Sequence, residues 1–200
     1  MPRSLLVLRV LHYPHPVLLR PAKVLKRVDA ELRSMIREMF DLMYQHDGIG
    51  LAGPQVGLPY RVFVMNESGD PGKPEQEHVF INPVISKAKG TEEKEEGCLS
   101  LPKLYAPVRR PTDIHVSAYN LAGQAVEADV SGLFARIVQH ENDHLDGVMF
   151  IDRISQTALM DVRDHLEEFR DEFERRRELG EIPADAKIFA HLAELEKLRA

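Results

Sequence analysis

Two imidazoles, His140 and His144, stand four residues apart, and a carboxylate, Glu141, directly follows the first. On a helix, positions four apart share one face, so both rings can bind one metal ion. Glu141 sits where it can reach water at that ion without being a ligand itself. The chain has a single cysteine, Cys98, in Glu96-Gly97-Cys98-Leu99-Ser100. A lone cysteine is commonly a small buried hydrophobe. Here it lies between Gly97 and Ser100-Leu101-Pro102, after the acidic run Glu92-Glu93-Lys94-Glu95-Glu96, in a loop-like context that an inert cysteine does not need. Two rings and one thiolate make a three-ligand set with an open position, the arrangement of catalytic rather than structural sites. His12, His15, His46, His78, His115, His165 and His191 have no partner at ligand spacing and receive no role.

The ligand-bearing segment requires a helix. Ser131 is the expected N-cap, Phe134, Ile137 and Val138 supply its apolar face, and Gly147 closes it after Asp146. Upstream, Asp29 caps an expected helix with an apolar stripe of Leu32, Ile36, Met39, Phe40 and Met43, ending near Asp47-Gly48. The stretch Gly48-Ile49-Gly50-Leu51-Ala52-Gly53-Pro54-Gln55-Val56-Gly57 then reads as a loop whose backbone approaches something closely. It lacks the Lys-Ser/Thr ending of a phosphate loop, and Pro54 gives Gln55 a rigidly placed amide.

Strands are expected at Arg61–Met65 and Val79–Ile81, joined by a polar loop or hairpin over 66–77. An antiparallel pair is expected at Ile114–Tyr119 and Ala125–Val130, turning at Asn120 to Gly123. The apolar run Leu5 to Leu11 reads as a buried strand or extended segment; Arg9 and the following prolines do not suit a signal peptide. Beyond Asp152, helical spacing of Leu159, Val162, Leu166 and Phe169 leads into a charge-dense stretch through Glu178. Gly180 and Pro183 break it, and a short helix follows over Ala186 to Leu198. The fold class expected is α+β: short antiparallel sheets around a central metal-binding helix, with an N-terminal helix and a C-terminal helical tail. Residues 1–155 form the catalytic domain and 156–200 a charged extension.

At 200 residues, 44% hydrophobic and 29% charged, the chain reads as a globular protein. A net charge of −6 argues against broad nucleic-acid binding. One cysteine excludes an internal disulfide framework and fits a reducing compartment. No stretch has the apolar length of a membrane helix. The expected location is the cytoplasm.

Taken together, the motifs resemble those of the peptide deformylase family. Gly48-Ile49-Gly50-Leu51-Ala52-Gly53-Pro54-Gln55 matches its first motif, with Gly53 where the family usually carries alanine. Glu96-Gly97-Cys98-Leu99-Ser100 matches the second. Gln139-His140-Glu141-Asn142-Asp143-His144-Leu145-Asp146-Gly147 matches the third, with polar Asn142 where an apolar residue is common. Tyr13-Pro14-His15-Pro16-Val17-Leu18 also looks like the family's N-terminal segment, and the resemblance spans roughly residues 5 to 155.

The resemblance implies removal of the formyl group from the N-terminal formylmethionine of new polypeptides. It also implies Cys98, His140 and His144 as metal ligands and Glu141 as the proton carrier. The Leu99 backbone N–H and the Gln55 amide are the implied oxyanion donors, and Gly50 would pair with the substrate backbone. Helical spacing puts Ile137 and Leu133 on the His140 side as walls of a methionine pocket, with Ile49 from the loop. Ligand types suit zinc, while the resemblance implies ferrous iron in the cell, nickel and cobalt being further options. Two other readings compete: a zinc endopeptidase taking a downstream carboxylate such as Glu167 or Glu168, and a non-catalytic protein docking on ribosomes or other partners through its tail. Acids outnumber bases from Asp161 to Ala200, which suits ribosomal RNA poorly. Monomer and homodimer are both compatible with the sequence.

Overall fold

Residues 8–200 are described in this computed structural model. Strands β1 (Gly50–Ala52), β2 (Val62–Met65), β3 (His78–Lys89), β6 (Asp113–Tyr119) and β7 (Ala125–Ser131) form one antiparallel sheet in the order β1-β2-β3-β6-β7. Strands β4 (Glu92–Cys98) and β5 (Leu101–Arg110) pair separately as a hairpin. Helices α1 (Ala30–Gln45) and α2 (Gly132–Leu145) cover the larger sheet. Three further helices follow: α3 (Gln156–Asp161), α4 (Arg163–Glu178) and α5 (Asp185–Arg199). The architecture is α+β.

Strand parity explains why β2 is buried at every position. Successive side chains point to opposite faces. Val62 and Val64 join Leu32, Ile36, Met39 and Met43 of α1 in one core cluster. Phe63 and Met65 join Ala135, Ile137 and Val138 of α2 in another. Burying each such side chain contributes roughly 1.5–3 kcal/mol, so the sheet is clamped between two helices and α2 has little freedom to move.

Both helices begin and end by local chemistry. Asp29 caps α1 by accepting the Leu32 N–H at 2.9 Å. Helix α2 closes through paired bonds, Val148 N–H to the Asp143 carbonyl at 2.9 Å and Gly147 N–H to that of His144 at 3.2 Å. Gly147 has φ 73°, and a Cβ there would meet the Arg20 backbone at 2.9 Å, so glycine is required twice over. At its start α2 departs from expectation. Ser131 ends β7 and its side chain makes no cap; Gly132, at φ 60°, turns the chain directly from strand to helix.

The glycine-rich stretch is not wholly loop. Gly50–Ala52 is the edge strand β1, and Gly53–Val56 is a single 3-10 turn ending at Gly57 with φ 80°. Gly53 is buried, and a Cβ on it would approach the Tyr60 carbonyl oxygen at 2.9 Å. Strand β3 runs to Lys89, well beyond the expected Ile81, with register shifts beside the positive-φ residues Asn82 and Lys87. The hairpin β4–β5 is new to the structure. Residues 8–11 form no regular strand, although Leu8 and Leu11 are buried. Leu5 to Val7 of the expected N-terminal segment lie outside the described residues.

The C-terminal helices are packed rather than splayed. Phe173, Ile188 and Leu192 share a cluster with Leu101, Leu104 and Phe150, while Leu195 reaches the α1 cluster. No helix among the described residues is long and apolar enough to cross a membrane.

Candidate active site

The hairpin and α2 converge on one point. Cys98 Sγ and ring nitrogens of His140 and His144 all lie within 4.8 Å of one another. Cys98 Sγ is 3.3 Å from His144 Nε2, and the two rings meet edge to face with centroids 5.0 Å apart. His140 Nδ1 lies 3.0 Å from Glu96 Oε2, which leaves its Nε2 for the cluster. His144 Nδ1 is buried without a hydrogen-bond partner. One half-buried cysteine sulfur and two buried imidazoles, mutually within bridging distance, fit a single divalent ion of zinc or iron type.

The rings differ electrostatically. Burial holds His144 well below its ordinary value, so it is neutral and its lone pair is available. Burial also opposes charge on His140, but hydrogen bonds to Cys98 and Glu96 outweigh it and hold the ring up at about 10. Glu141 extends from the same helix, and burial pushes its carboxyl up to about 7. Its Oε2 is buried without a partner. A Cβ on Gly50 would collide with the Glu141 carboxylate, so the close approach expected of that glycine is to Glu141.

Gln55 is fully enclosed. The Ala52 N–H donates to its Oε1 at 2.8 Å, which turns Nε2 toward Cys98 Sγ at 3.4 Å and Ser100 Oγ at 3.3 Å. Leu99 is half-buried beside Gly48, where an added Cβ would sit 2.8 Å from Leu99 Cδ1. Ile137 is buried in the α2 cluster and Ile49 packs against it, while Leu133, one turn earlier, is 45% exposed. Asn142 faces outward, bonded to Arg61 and Asp146. Glu167 is exposed on α4 and pairs with Arg163, so it supplies no third ligand.

Beneath the site lies a charged group that the motif residues alone do not announce. Glu96 accepts two hydrogen bonds from Arg110, at 2.6 and 2.9 Å, and one from Arg136 at 2.6 Å. Burial would raise its carboxyl, but His140 and Arg110 prevail and hold it down at about 2. Arg110 also reaches Asp143 of α2 at 2.8 Å. Glu96 stood within the Cys98 motif, and Asp143 lies three residues beyond His140. Both were legible as neighbours; their shared partner Arg110 was not.

A polypeptide deformylase family model matches residues 7–159. The chain belongs to the peptide deformylase family. The peptide deformylase of Rhodopirellula baltica is 44% identical over 191 residues, covering 96% of this chain and 94% of that protein. The rice (Oryza sativa) chloroplastic peptide deformylase 1B is 44% identical over 168 residues, 84% of this chain but 62% of the plant protein. Among solved structures, Arabidopsis thaliana peptide deformylase 1B in complex with an inhibitor superposes with a TM-score of 0.80 at 40% identity, covering 84% of this chain and 93% of its own. The Thermotoga maritima peptide deformylase gives a TM-score of 0.69 at 41% identity, covering 74% and 98%. This chain is accordingly a metal-dependent hydrolase that removes the formyl group from newly made formylmethionyl polypeptides.

Proposed function

We propose that deformylation is carried out by Cys98, His140 and His144 as metal ligands, Glu141 as proton carrier, and Gln55 with the Leu99 backbone N–H as oxyanion donors. The carrying observation is Glu141 Oε2, a buried carboxylate oxygen with no partner, on the helix that bears two of the three ligand groups. A divalent ion held by Cys98, His140 and His144 would supply Lewis acidity toward water and the formyl carbonyl. Glu141, its carboxyl pushed up to about 7 by burial, is suited to take a proton from the attacking water and deliver it to the leaving amine. Gln55 is held by the Ala52 N–H with its amide donor directed toward Cys98, ready for the charge that develops on the formyl oxygen. The substrate backbone adds to the edge strand β1 at Gly50. Its methionine side chain lies among Ile49, Leu133 and Ile137, of which half-exposed Leu133 marks the open side.

We assign Fe2+ as the cellular ion, with zinc, nickel or cobalt able to occupy the same donors. The cytoplasm is the assigned location, and residues 156–200 are assigned as an extension of a catalytic unit spanning 1–155. Ribosome contact would be transient at most, since acids outnumber bases in that extension. Metal analysis of anaerobically purified protein tests the ion, and a stoichiometric redox-inert zinc content would overturn iron.

The catalytic assignment is tested by formate release from formyl-Met-Ala-Ser. Glu141→Ala should lower kcat by roughly 10²–10⁴-fold while metal content stays at the wild-type level. Near wild-type turnover would remove Glu141 from its role. Cys98→Ser should lose metal, and unchanged metal content would remove Cys98 from the ligand set.

A further inference from the structure

Asp143 lies on α2 between the two histidine ligands, buried and three residues beyond His140. Arg153, immediately after the 3-10 turn Phe150–Asp152, closes on it with Nε to Oδ2 at 2.6 Å and NH2 to Oδ1 at 2.5 Å. From Asp143 the contacts continue inward without a break. Oδ2 also accepts from Arg110 NH1 at 2.8 Å, Arg110 grips Glu96 through its other two nitrogens, and Glu96 Oε2 stands 3.0 Å from His140 Nδ1. The side chains of Arg110 and Glu96 are 3% and 5% exposed, whereas that of Arg153 is 45% exposed. The same segment also meets His140 directly, because the Phe150 ring stacks on it at 6.2 Å and 26°.

We propose that Arg153 is a positioning residue for the metal ligand His140, acting through Asp143, Arg110 and Glu96. The physical case is charge balance in a buried setting. Arg153 meets both Asp143 oxygens with a bidentate fork, the strong geometry for this pair. Without it Asp143 keeps Arg110, and a buried carboxylate left short of cations draws that guanidinium toward itself and away from Glu96. Glu96 then holds the His140 ring less firmly. Groups that orient a metal ligand through a hydrogen bond are commonly worth 10–100-fold in metal affinity. Arg153 acts three contacts further out than Glu96, so the lower end, about tenfold, is the expected effect.

The inference rests on the ligand set proposed above, and the experiment separates the two. Metal-stripped full-length protein is titrated with Zn2+ against a chromophoric chelator for the wild type, Arg153→Met, Arg153→Lys and Cys98→Ala. Cys98→Ala tests the ligand set alone; unchanged Zn2+ affinity there would overturn the site itself. With that loss established, Arg153→Met should weaken Zn2+ binding about tenfold, and Arg153→Lys should recover part of it by keeping charge without the fork. Formyl-Met-Ala-Ser turnover at saturating metal should keep its KM, since Arg153 is not among the residues assigned to hold the peptide. In an Asp143→Asn background, Arg153→Met should cost little more, because the pathway is already cut. Unchanged Zn2+ affinity in Arg153→Met, or full additivity with Asp143→Asn, would overturn the proposal. If Asp143→Asn fails to fold, the half-exposed Arg153 variants decide by themselves.

Discussion

The ion pairs under the metal site and those along α4 are chemically alike but physically opposite. Arg110–Glu96 and Arg110–Asp143 have side chains 3–8% exposed. Arg163–Glu167 and Arg175–Glu172 stand in solvent at 50–73% exposure. In water an ion pair of that kind contributes about 0–1 kcal/mol and is screened by salt. Buried, each charge has lost several kcal/mol of hydration, so the pair adds little net stability while the loss of one partner is severe. The inner group is therefore a poor source of stability and a good source of rigidity. It fixes the carboxylate that orients His140, which a solvated pair at the surface could not do.

Removing Arg110 should break this contrast most sharply. Arg110→Met leaves Glu96 and Asp143 facing each other's surroundings with one cation fewer, and a destabilisation of about 3–5 kcal/mol is expected. Arg163→Met, by contrast, should stay within about 0.5 kcal/mol. Urea unfolding of the two variants checks both values. A loss below about 1 kcal/mol for Arg110→Met would mean that the inner pairs behave as surface pairs do.

The next effect concerns the tail as a whole, whose exposed α4 face suggests an appendage while its inner face does not. Leu192 of α5 is 2% exposed and packs in the cluster that contains Leu101 and Phe150. Leu192→Ala should cost about 2–5 kcal/mol, as for a core leucine. It should lower one cooperative transition shared with the rest of the chain. A separate early transition, with formate release intact after it, would show the tail to be detachable.

How much of this was legible in the sequence follows from the same distinction. Helix α1, the β6–β7 pair and the span of α2 carry their apolar residues at the right period, and their ends lie close to expectation. Hairpin β4–β5 does not. The one buried residue of β4 is Glu96, and the inward series of β5 ends in Arg110, so hydropathy alternation is masked by the very charges that lie under the site. Lys103, at φ 65°, also shifts the phase of β5 between Leu101 and Leu104. The residues of the candidate metal cluster, Cys98, His140 and His144, were readable because their types and spacing are local. Arg110, Arg136 and Arg153 were not, since the contacts that give them meaning join positions 10 to 40 residues apart.

The smallest effect lies at the far end of α5, midway between the two kinds of pair. The Arg199 side chain is 1% exposed but its partner Asp29 is 25% exposed. Partial burial works to raise the Asp29 carboxyl; the Leu32 N–H and Arg199 outweigh it, so its value lies below the ordinary 3.8. A depressed carboxylate contributes stability that is fully present above its unfolded-state value and is lost as pH falls through the folded one. Arg199→Met should therefore destabilise the protein at neutral pH, and the gap from wild type should narrow as pH drops below the ordinary carboxylate range. Thermal unfolding at neutral pH and near pH 3 measures that gap. A constant difference across the range would mean that Arg199 acts by packing against Tyr60 rather than through charge. The end of the tail would then belong with the apolar core instead of standing between the two kinds of ion pair.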